Sequence, residues 1–426
     1  MRSAELSSEK DGEEVSVAGW VHEVRDLGGI IFIILRDREG FIQITIPRKI
    51  ANQDIFRKAK KITRESVVKV EGFIKKEEKA PNGFEIIPKS LEVLSESSAP
   101  LPLEVTEKVP ADLDTRLDNR FMDLRRPRIA AIFRIKSQVV QSVRDFLSKE
   151  GFIEVQTSKI VSTATEGGTE LFPISYFEKE AFLNQSPQLY KQILMSAGFE
   201  KVFEIGPIFR AEEHNTTRHL NEATSIDIEM SFTDHEGVMK VLERLIAKVY
   251  EDVVSKCAKF LEILELKLEV PEVPFPRITY SEAIEIVSKT HEIPWGEDLD
   301  LQALKTLGAE IGGLYFITEW PTKIKPFYVM SFEDERISKS FDLMHRYIEL
   351  ASGAQREHRY EKLVENIKSK GLSPESFEFY LKAFRYGMPP HAGWGLGLER
   401  LVMAMLDLGN IREAMLFPRD RIRLSP

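Results

Sequence analysis

Cysteine is nearly absent from this sequence, since Cys257 is the only one among 426 residues. A single cysteine excludes internal disulfides and any zinc site built on several thiolates. It lies in the helical pattern "VYEDVVSKCAKFLE", so we expect a structural thiol rather than a catalytic one. The sequence also lacks a long uncharged apolar run and a signal-peptide pattern. We therefore expect a soluble, cytoplasmic protein that does not bind membranes.

The common phosphate-binding motifs are missing as well. There is no GxxxxGK[ST] P-loop, and the glycine-rich stretch "PPHAGWGLGLERL" (389–401) has the spacing GxGxG near the C-terminus, unlike a dinucleotide fingerprint. Its glycines would let a strand backbone pass close under a flat ring, and Arg400 in the following helix would suit a phosphate. Close packing alone explains such glycines equally well. The net charge of −9 does not favour nucleic-acid binding, although a local basic face would suffice.

Five short segments within residues 15–94 predict β-strands. They are rich in β-branched and aromatic residues and are separated by Gly, Pro, Asn or Asp. Five such strands favour a small closed barrel, with the OB-fold as the leading candidate. In "FIQITI" the two faces differ, because successive side chains point to opposite sides. The expected core face holds Ile42, Ile44 and Ile46, and the expected outward face holds Phe41, Gln43 and Thr45.

A linker rich in proline and alternating charges follows the predicted barrel. Its arginine-rich end, 116–128, suits either a solvated hinge or a nucleic-acid contact, and the sequence leaves both open. From Ile129 an amphipathic helix begins, which Gly151 ends, and strands and helices then alternate. We predict these bounds: 1–98 for the barrel, 99–128 for the linker, and 129–426 for the second domain with an insertion at about 268–325.

Two strictly alternating segments form the centre of the predicted site. In "KVFEIGPIFRAEE" and "ATSIDIEMSF", apolar side chains alternate with charged or polar ones. They predict an antiparallel hairpin with one face packed on helices and one charged face that lines a floor. For any one such strand, a merely solvated charged face is the common alternative. The second face carries Glu204, Arg210, Glu212, Asp227 and Glu229.

Other segments add enough charge to favour a binding site over a solvated face. The loop of the hairpin supplies Arg218 and His219, which suit phosphate oxygens. Cations and carboxylates in these numbers suit a site that holds a triphosphate, a divalent metal and a zwitterion together. The further contributors are Glu166, Gln188, Lys191, Asp342, Glu349, Ser352 and Arg356.

Three segments together carry a family resemblance. "GFIEVQTSKIV" is similar to motif 1, "IFRAEEHNTTRHLNEATSIDIEM" to motif 2 and "GWGLGLERL" to motif 3 of the class II aminoacyl-tRNA synthetases. Along nearly its whole length the chain most resembles the archaeal-type aspartyl-tRNA synthetases. The resemblance implies an α+β fold, with an N-terminal all-β OB-fold barrel before a class II catalytic domain whose antiparallel sheet is flanked by helices. It also implies a homodimer.

The resemblance implies a two-step ligase reaction. L-aspartate and ATP, with Mg²⁺, would give aspartyl-adenylate, and the aspartyl group would pass to tRNA(Asp) and, in a non-discriminating enzyme, to tRNA(Asn). The α-carboxylate is already ionised, so catalysis needs positioning and charge neutralisation rather than a protein base. The implied catalytic residues are Arg210, Glu349 and Arg400.

Further roles follow from the same resemblance. Asp227 would orient Lys191. ATP would be bound by Arg210, Glu212, Arg218, His219, Leu220, Glu349, Gly397 and Arg400; aspartate by Glu166, Gln188, Lys191, Arg210, Ser352 and Arg356; and the metal by Glu349, Ser352 and Asp342.

The chain departs from the family pattern at two positions. Ser158 stands in motif 1 where a proline is usual, so the dimer prediction depends on the rest of that segment. Ala223 stands where many relatives have a phenylalanine that stacks on adenine.

Four barrel residues bear on the choice of tRNA. Phe32 and Gln43 match positions that stack on and read anticodon bases, which single-stranded recognition needs. Core packing is the alternative for Phe32. Relatives strict for tRNA(Asp) carry Trp and Lys where this chain has His22 and Pro81, so the resemblance favours a non-discriminating enzyme. A discriminating enzyme, an asparaginyl-tRNA synthetase and a binding module that has lost catalysis are the alternatives.

Overall fold

The computed structural model describes residues 1–162, 170–212 and 216–425. The chain divides into two compact units, Met1–Arg126 and Pro127–Pro426. The division falls inside the linker predicted from the sequence, whose own bounds stay a prediction. Within the described ranges, no helix is both long and apolar enough to cross a membrane.

The first unit is a closed five-stranded barrel. Its strands follow the order β1-β2-β3-β5-β4, and β4 pairs with β1 to close it. Asn52 caps the one helix between the strands by accepting from the Asp54 amide. The elements are β1 (Glu14–Asp26), β2 (Ile30–Arg36), β3 (Phe41–Pro47), α1 (Gln53–Lys61), β4 (Val67–Lys76) and β5 (Phe84–Ser95), after 3-10 turns at Ser3–Glu5 and Ser8–Lys10.

The predicted core face of β3 is confirmed. Ile42, Ile44 and Ile46 are all buried among the aliphatic side chains inside the barrel. The prediction for Thr45 is wrong, because this side chain is buried and its hydroxyl donates to Glu85 at 2.5 Å. The buried carboxylate of Glu85 therefore turns part of the opposite face into a closed polar contact instead of an open surface.

The arginine-rich end of the linker is mostly structural. It forms two short helices, α2 (Leu113–Asp118) and α3 (Arg120–Asp123). Arg120 is buried and donates to the buried carboxylate of Asp123 at 2.6 Å, which also accepts from Arg116 at 3.0 Å. These guanidinium groups neutralise an internal carboxylate, so neither a solvated hinge nor a nucleic-acid contact describes them.

The second unit is built on an eight-stranded sheet. Its order is β12-β13-β14-β15-β16-β11-β10-β6, antiparallel except for the pairs β6–β10 and β12–β13. A separate small sheet has the order β7-β9-β8. The strands are β6 (Ile153–Glu154), β7 (Ile160–Val161), β8 (Pro173–Tyr176), β9 (Lys179–Leu183), β10 (Lys201–Phe209), β11 (Glu222–Ser231), β12 (Arg277–Thr279), β13 (Leu314–Thr318), β14 (Ser340–His345), β15 (Ile348–Gln355) and β16 (His391–Gly397).

Helices cover the sheet. The two longest, α4 and α6, pack against each other, and α6 contacts β15 and β16. The apolar face of α4 is buried at Ile132, Ile135, Val139, Val143 and Leu147, and Phe146 is half-buried. The helices are α4 (Pro127–Lys149), α5 (Gln188–Ser196), α6 (His235–Lys256), α7 (Ala258–Leu264), α8 (Tyr280–Val287), α9 (Leu301–Ile311), α10 (Tyr360–Ser369), α11 (Glu378–Phe384) and α12 (Leu398–Met405), with 3-10 turns at Thr322–Ile324, Pro374–Phe377 and Ile411–Ala414.

Strands β10 and β11 form the predicted antiparallel hairpin, with Glu204 opposite Asp227. Ile226 and Ile228 are fully buried on the apolar face. The expectation of a wholly covered apolar face is wrong at its end, because Phe232 leaves the strand and is 73% exposed. Cys257, between α6 and α7, is buried, and burial raises the pKa of its thiol, as expected of a structural cysteine.

The section predicted as an insertion is continuous with the main sheet. This section contains the helices α8 and α9, which pack with β13 around an apolar cluster. Strands β12 and β13 extend the sheet beyond β14, so this section forms one edge of the eight-stranded sheet.

Candidate active site

A cavity of about 310 Å³ opens on the charged face of the sheet. Five residues on which the sequence prediction depends, from three separate segments of the chain, all line it. They are Arg210, Glu212, Glu349, Arg356 and Arg400. The same cavity is lined by Gln188, Arg218, His219, Leu220, Ala223, Asp227, Ser352 and Gly397.

The loop after β10 is pinned where it carries the first of these residues. The Arg210 amide donates to the Asn221 carbonyl at 2.9 Å, and the Asn221 side chain donates back to the Arg210 carbonyl at 2.7 Å. The Asn221 side chain also donates to the Glu212 carbonyl at 3.3 Å. These bonds fix the backbone on either side of Arg210, so its exposed guanidinium extends from a rigid base.

Arg218 and His219 lie at the far end of the cavity beside Arg400. Burial, followed by the nearby positive charges of Arg400, Arg218 and Arg210, lowers the pKa of His219 to about 4. The ring is therefore neutral near pH 7. The Thr216 hydroxyl lies 2.6 Å from its Nδ1. His219 thus presents a neutral ring to the cavity, whereas Arg218 presents a positive charge.

Arg400 lies in the first turn of α12 and reaches across to β15. Its guanidinium donates to the Glu349 carbonyl at 3.1 Å and to the Glu349 carboxylate at 3.3 Å. Desolvation raises the pKa of Glu349, but the combined attraction of Arg400, Lys325 and Arg210 brings it below its ordinary value. Glu349 is consequently an anion held among cations.

The three glycines of motif 3 serve two different purposes. A Cβ at Gly393 would meet the Ile228 carbonyl oxygen, so this glycine permits close strand packing. Gly395 and Gly397 line the cavity and keep its floor flat. The two explanations left open by the sequence therefore apply to different residues of one strand.

The residues assigned to a metal by resemblance lie on two adjacent strands. Asp342 on β14 is directly opposite Ser352 on β15, and Glu349 is on the same strand as Ser352. Asp342 is buried, which raises the pKa of its carboxyl, and its Oδ1 has no hydrogen-bond partner among the described residues. Mg²⁺ is commonly held by one or two carboxylates together with substrate phosphates, so this oxygen set fits it.

The opposite end of the cavity contains a buried group of two cations and two carboxylates. Lys191 Nζ lies 2.9 Å from Asp227 Oδ1 and 3.5 Å from Glu229 Oε2. Arg356 Nε donates to Glu229 Oε1 at 3.0 Å. All four side chains are at most 6% exposed. Such a group is neutral as a whole, and its cations are fixed before a substrate arrives.

Not every predicted residue can be placed at the cavity. Glu166 lies outside the described residues. Asp342 lines a neighbouring cavity of about 350 Å³, together with Arg218, His219, Glu349 and Arg400. Lys191 contacts the floor from behind, through the Trp394 carbonyl at 3.2 Å and Asp227.

The four anticodon candidates lie on one part of the barrel. Phe32 and Gln43 are half-buried on the face opposite the barrel core. The His22 ring lies 4.9 Å from that of Phe41, and its Nδ1 is 3.0 Å from Arg36. The core alternative for Phe32 is not supported, because the core positions of β2 are the residues on either side of it. The exposed Pro81 precedes Asn82, which donates to the Phe41 carbonyl at 2.6 Å.

Sequence reasoning missed two contributors to the site. Lys325 lines both cavities and donates to Asp342 Oδ2 at 2.9 Å, but it lies in a section assigned to a variable insertion. Glu399 is buried and holds β11 to α12 by accepting from the Thr224 amide at 2.9 Å. The position of Glu399 directly before Arg400 could have indicated that it lies near the site. No sequence pattern, however, predicted which residue it contacts.

Comparisons with known proteins agree with this geometry. The chain matches the family described as "tRNA synthetases class II (D, K and N)" over residues 112–421 and the "OB-fold nucleic acid binding domain" over residues 15–94. The chain therefore belongs to the class II aminoacyl-tRNA synthetases, ligases that use ATP to join an amino acid to tRNA. The α+β fold with an N-terminal OB-fold barrel is confirmed.

The relatives specify the subgroup. An aspartate–tRNA(Asp/Asn) ligase of Archaeoglobus fulgidus is 72% identical and covers 100% of this chain and 99% of its own. An aspartate–tRNA(Asp) ligase of Pyrococcus abyssi is 60% identical over 100% of this chain and 99% of its own. The resemblance to archaeal-type aspartyl-tRNA synthetases is thus confirmed.

A solved structure gives a similar fold under a different name. Asparaginyl-tRNA synthetase from Pyrococcus horikoshii, complexed with asparaginyl-adenylate, superposes with a TM-score of 0.95. It is 37% identical and covers 100% of this chain and 99% of its own. Aspartyl- and asparaginyl-tRNA synthetases therefore share this architecture, and the side chains at the site must tell them apart.

Proposed function

We propose that this protein activates L-aspartate with ATP and transfers the aspartyl group to both tRNA(Asp) and tRNA(Asn). The cytoplasm is the compartment we propose for it. The observation that carries the choice of amino acid is the buried cation Arg356, which lines the cavity, with the buried Lys191 in the same ion-pair group behind the floor. A fixed guanidinium at the cavity wall suits the side-chain carboxylate of aspartate, because a charge-assisted hydrogen bond to a carboxylate is stronger than one to the neutral amide of asparagine.

The first step is an in-line attack by the aspartate α-carboxylate on the α-phosphorus of ATP, with pyrophosphate leaving. Arg210 would contact the α-phosphate and the α-carboxylate together, which reduces the repulsion between two anions. Arg218, His219 and Arg400 would hold the outer phosphates, and Glu212 would accept from the adenine amino group. No proton has to be removed from the nucleophile, so the residues act by position and charge.

Mg²⁺ would be held by Glu349 and Asp342, with Ser352 beside them. When bound, it would supply positive charge to neutralise the phosphates. The Lys325 ammonium lies against Asp342. We therefore infer that Lys325 neutralises part of the charge of this carboxylate.

Acceptance of two tRNAs is proposed from the chemistry at His22. Arg36 can only donate, so His22 Nδ1 must accept from it, and a neutral ring then carries its proton on Nε2. Burial, followed by the charge of Arg36, lowers the pKa of His22, which favours the neutral form. The third anticodon base is C in tRNA(Asp) and U in tRNA(Asn), and both offer an O2 acceptor. A single donor therefore does not discriminate between them.

A homodimer through motif 1 is also part of the proposal. Strand β6 is the last strand of the large sheet, and its Ile153 is 48% exposed. Ile160 on β7 is 47% exposed. Exposed apolar side chains on the edge strand of one sheet and on a strand of the second sheet, both within motif 1, favour burial against a second copy.

The test is aminoacylation of tRNA(Asp) and tRNA(Asn) transcripts by the same enzyme preparation. We expect charging rates within about tenfold of each other, because a contact that distinguished the third base would be worth about 1–3 kcal/mol, or about 5- to 150-fold, and His22 does not supply one. The matched control is the double variant His22→Trp, Pro81→Lys, which should slow tRNA(Asn) charging alone. If the wild type charges tRNA(Asn) several hundred times more slowly than tRNA(Asp), the two-tRNA proposal is wrong.

Asparagine activation is the competing function. ATP–pyrophosphate exchange with each amino acid decides between them, and we expect exchange with aspartate. Exchange with asparagine alone would overturn the amino-acid assignment whatever the tRNA result.

A further inference from the structure

A chain of four buried polar side chains runs from the amino-acid end of the cavity into the core. Gln188 Nε2 donates to Gln192 Oε1 at 2.8 Å, one turn further along α5. Gln192 Nε2 lies 2.9 Å from His391 Nε2, and His391 Nδ1 lies 2.8 Å from the Pro389 carbonyl. Tyr380 also donates to Gln192 Oε1, at 3.1 Å. All four side chains are at most 4% exposed.

The direction of every hydrogen bond in this chain is fixed from its inner end. A carbonyl oxygen can only accept, so His391 Nδ1 must carry a proton and donate to Pro389. Burial lowers the pKa of His391 to about 4, so the ring is neutral near pH 7 and its Nε2 is an acceptor. Gln192 must then turn its NH₂ group toward His391 and its oxygen toward Gln188.

The orientation of the outermost amide follows directly. Gln188 contacts the Gln192 oxygen, which can only accept, so the Gln188 NH₂ group must be the donor in this hydrogen bond. The Gln188 Oε1 atom therefore faces the cavity that this residue lines. Among the described residues, the Gln188 side-chain amide makes no other hydrogen bond. Aspartate has only one group that can donate, the α-ammonium, because both carboxylates only accept. An outward oxygen therefore matches the ammonium, and an outward NH₂ would repel it.

We propose that His391 and Gln192 are positioning residues that orient the Gln188 amide so that its oxygen receives the α-ammonium of the substrate. Tyr380 has no part in setting this direction, because a hydroxyl either donates or accepts. The inference rests on the proposed function, in that Gln188 faces an amino acid.

The charged surroundings are compatible with a neutral His391. Glu229 raises the pKa of the ring, whereas Arg356 and His358 lower it. Glu229 and Arg356 are paired with each other, and Phe384 covers one side of the ring at 6.1 Å between centroids. Among the described residues, the carboxylate that raises the pKa of the ring, Glu229, is thus already paired with Arg356.

The first test is the protonation state of His391 in the free enzyme. Histidine-selective ¹⁵N labelling of the full chain gives signals from eight histidines, and His391→Phe identifies the one from position 391. We expect a neutral ring at pH 7 with its proton on Nδ1. A proton on Nε2, or a charged ring at pH 7, would overturn the proposal. This measurement needs no substrate, so its outcome is independent of the proposed function.

The second test uses ATP–pyrophosphate exchange with aspartate. Gln192→Met and His391→Phe should each raise the KM for aspartate about tenfold, the size expected for a lost hydrogen bond to a charged group, and leave the KM for ATP unchanged. Tyr380→Phe is the matched control, since it removes one bond from the same Gln192 oxygen but cannot reverse the amide. It should change the KM for aspartate by less than about twofold.

A double-variant cycle separates orientation from packing. Gln188→Glu should raise the KM for aspartate in the wild type, because its carboxylate would face the Gln192 oxygen. In the Gln192→Met background, Gln188→Glu should lower the KM for aspartate. Both oxygens of a carboxylate accept hydrogen bonds, so the new carboxylate at position 188 would not need Gln192 to orient it. The proposal is wrong if Gln188→Glu changes the KM for aspartate in the same direction in both backgrounds. It is also wrong if Tyr380→Phe raises that KM as much as Gln192→Met does. Either result would mean that the four side chains only pack against one another. Absence of exchange by the wild type would instead contradict the proposed function.

Discussion

Replacing Arg356 by methionine tests whether the buried cations recognise the substrate or only hold the fold. Arg356 is 4% exposed and donates to the fully buried Glu229 at 3.0 and 3.3 Å. Removing one partner of a buried ion pair costs about 3–5 kcal/mol of unfolding free energy, because the other charge stays buried. Lys191, 3.5 Å from Glu229, still compensates part of that charge, so we expect the lower end.

The kinetic effect has a separate size. A truncated, desolvated charge contact costs about 2–4 kcal/mol of binding, which lowers kcat/KM for aspartate about 30- to 700-fold in ATP–pyrophosphate exchange. The double variant Arg356→Met, Glu229→Gln separates the two effects. It removes the unpaired carboxylate, so urea unfolding should return toward the wild type, but aspartate has still lost its cation and kcat/KM should stay low.

The matched control is Arg359→Met, three residues further along. Its side chain is 58% exposed, but the Glu357 carboxylate with which it pairs is 1% exposed, so this variant also leaves a buried carboxylate without its cation. Aspartate exchange should be unchanged in this variant. The reasoning is refuted if Arg356→Met lowers kcat/KM no more than Arg359→Met does, or if the double variant recovers aspartate exchange together with stability.

Two more predictions concern the phosphate end and the pH dependence. Glu349→Gln should raise the Mg²⁺ concentration for half-maximal exchange about tenfold. The free energy of unfolding should change by less than about 1 kcal/mol, because the Glu349 side chain is 46% exposed. An unchanged Mg²⁺ response would show that Glu349 is not a ligand. The pKa of His391 is about 4 in the folded state and 6.5 in the unfolded state, so the unfolded state binds the proton more readily. The contribution of the neutral ring to the free energy of unfolding is therefore complete above pH 6.5 and is lost as the pH falls toward 4. The loss at pH 5 is about 2 kcal/mol, and urea unfolding of His391→Phe should show a shallower decline between pH 7.5 and 5 than the wild type. Equal slopes would contradict a buried neutral ring.

Local sequence patterns predicted much of the site. Strict alternation identified β10, β11 and the core face of β3, because the side chains of a strand point to opposite sides with a period of two. The same alternation assigned Arg210 and Asp227 to one face before any partner was known.

These patterns did not predict which charged side chains are buried, or which distant segments contact each other. Arg120 and Asp123 lie in a stretch whose composition is typical of a solvated linker, yet both are buried as an ion pair. Thr45 was expected outside, but Glu85, 40 residues later, gives its hydroxyl a buried partner. Lys325 lies in an irregular segment, so no period connected it to Asp342.

The sequence by itself determined the strands, the helices and the types of charged group available, because these depend on residue spacing over a few positions. Only the tertiary structure decided which charges meet. Gln192 and His391 are 199 positions apart, and the folded chain alone brings them to 2.9 Å. The direction of a hydrogen bond depends on both partners and on their burial, so the orientation of Gln188 is a property of the packed core rather than of any local pattern.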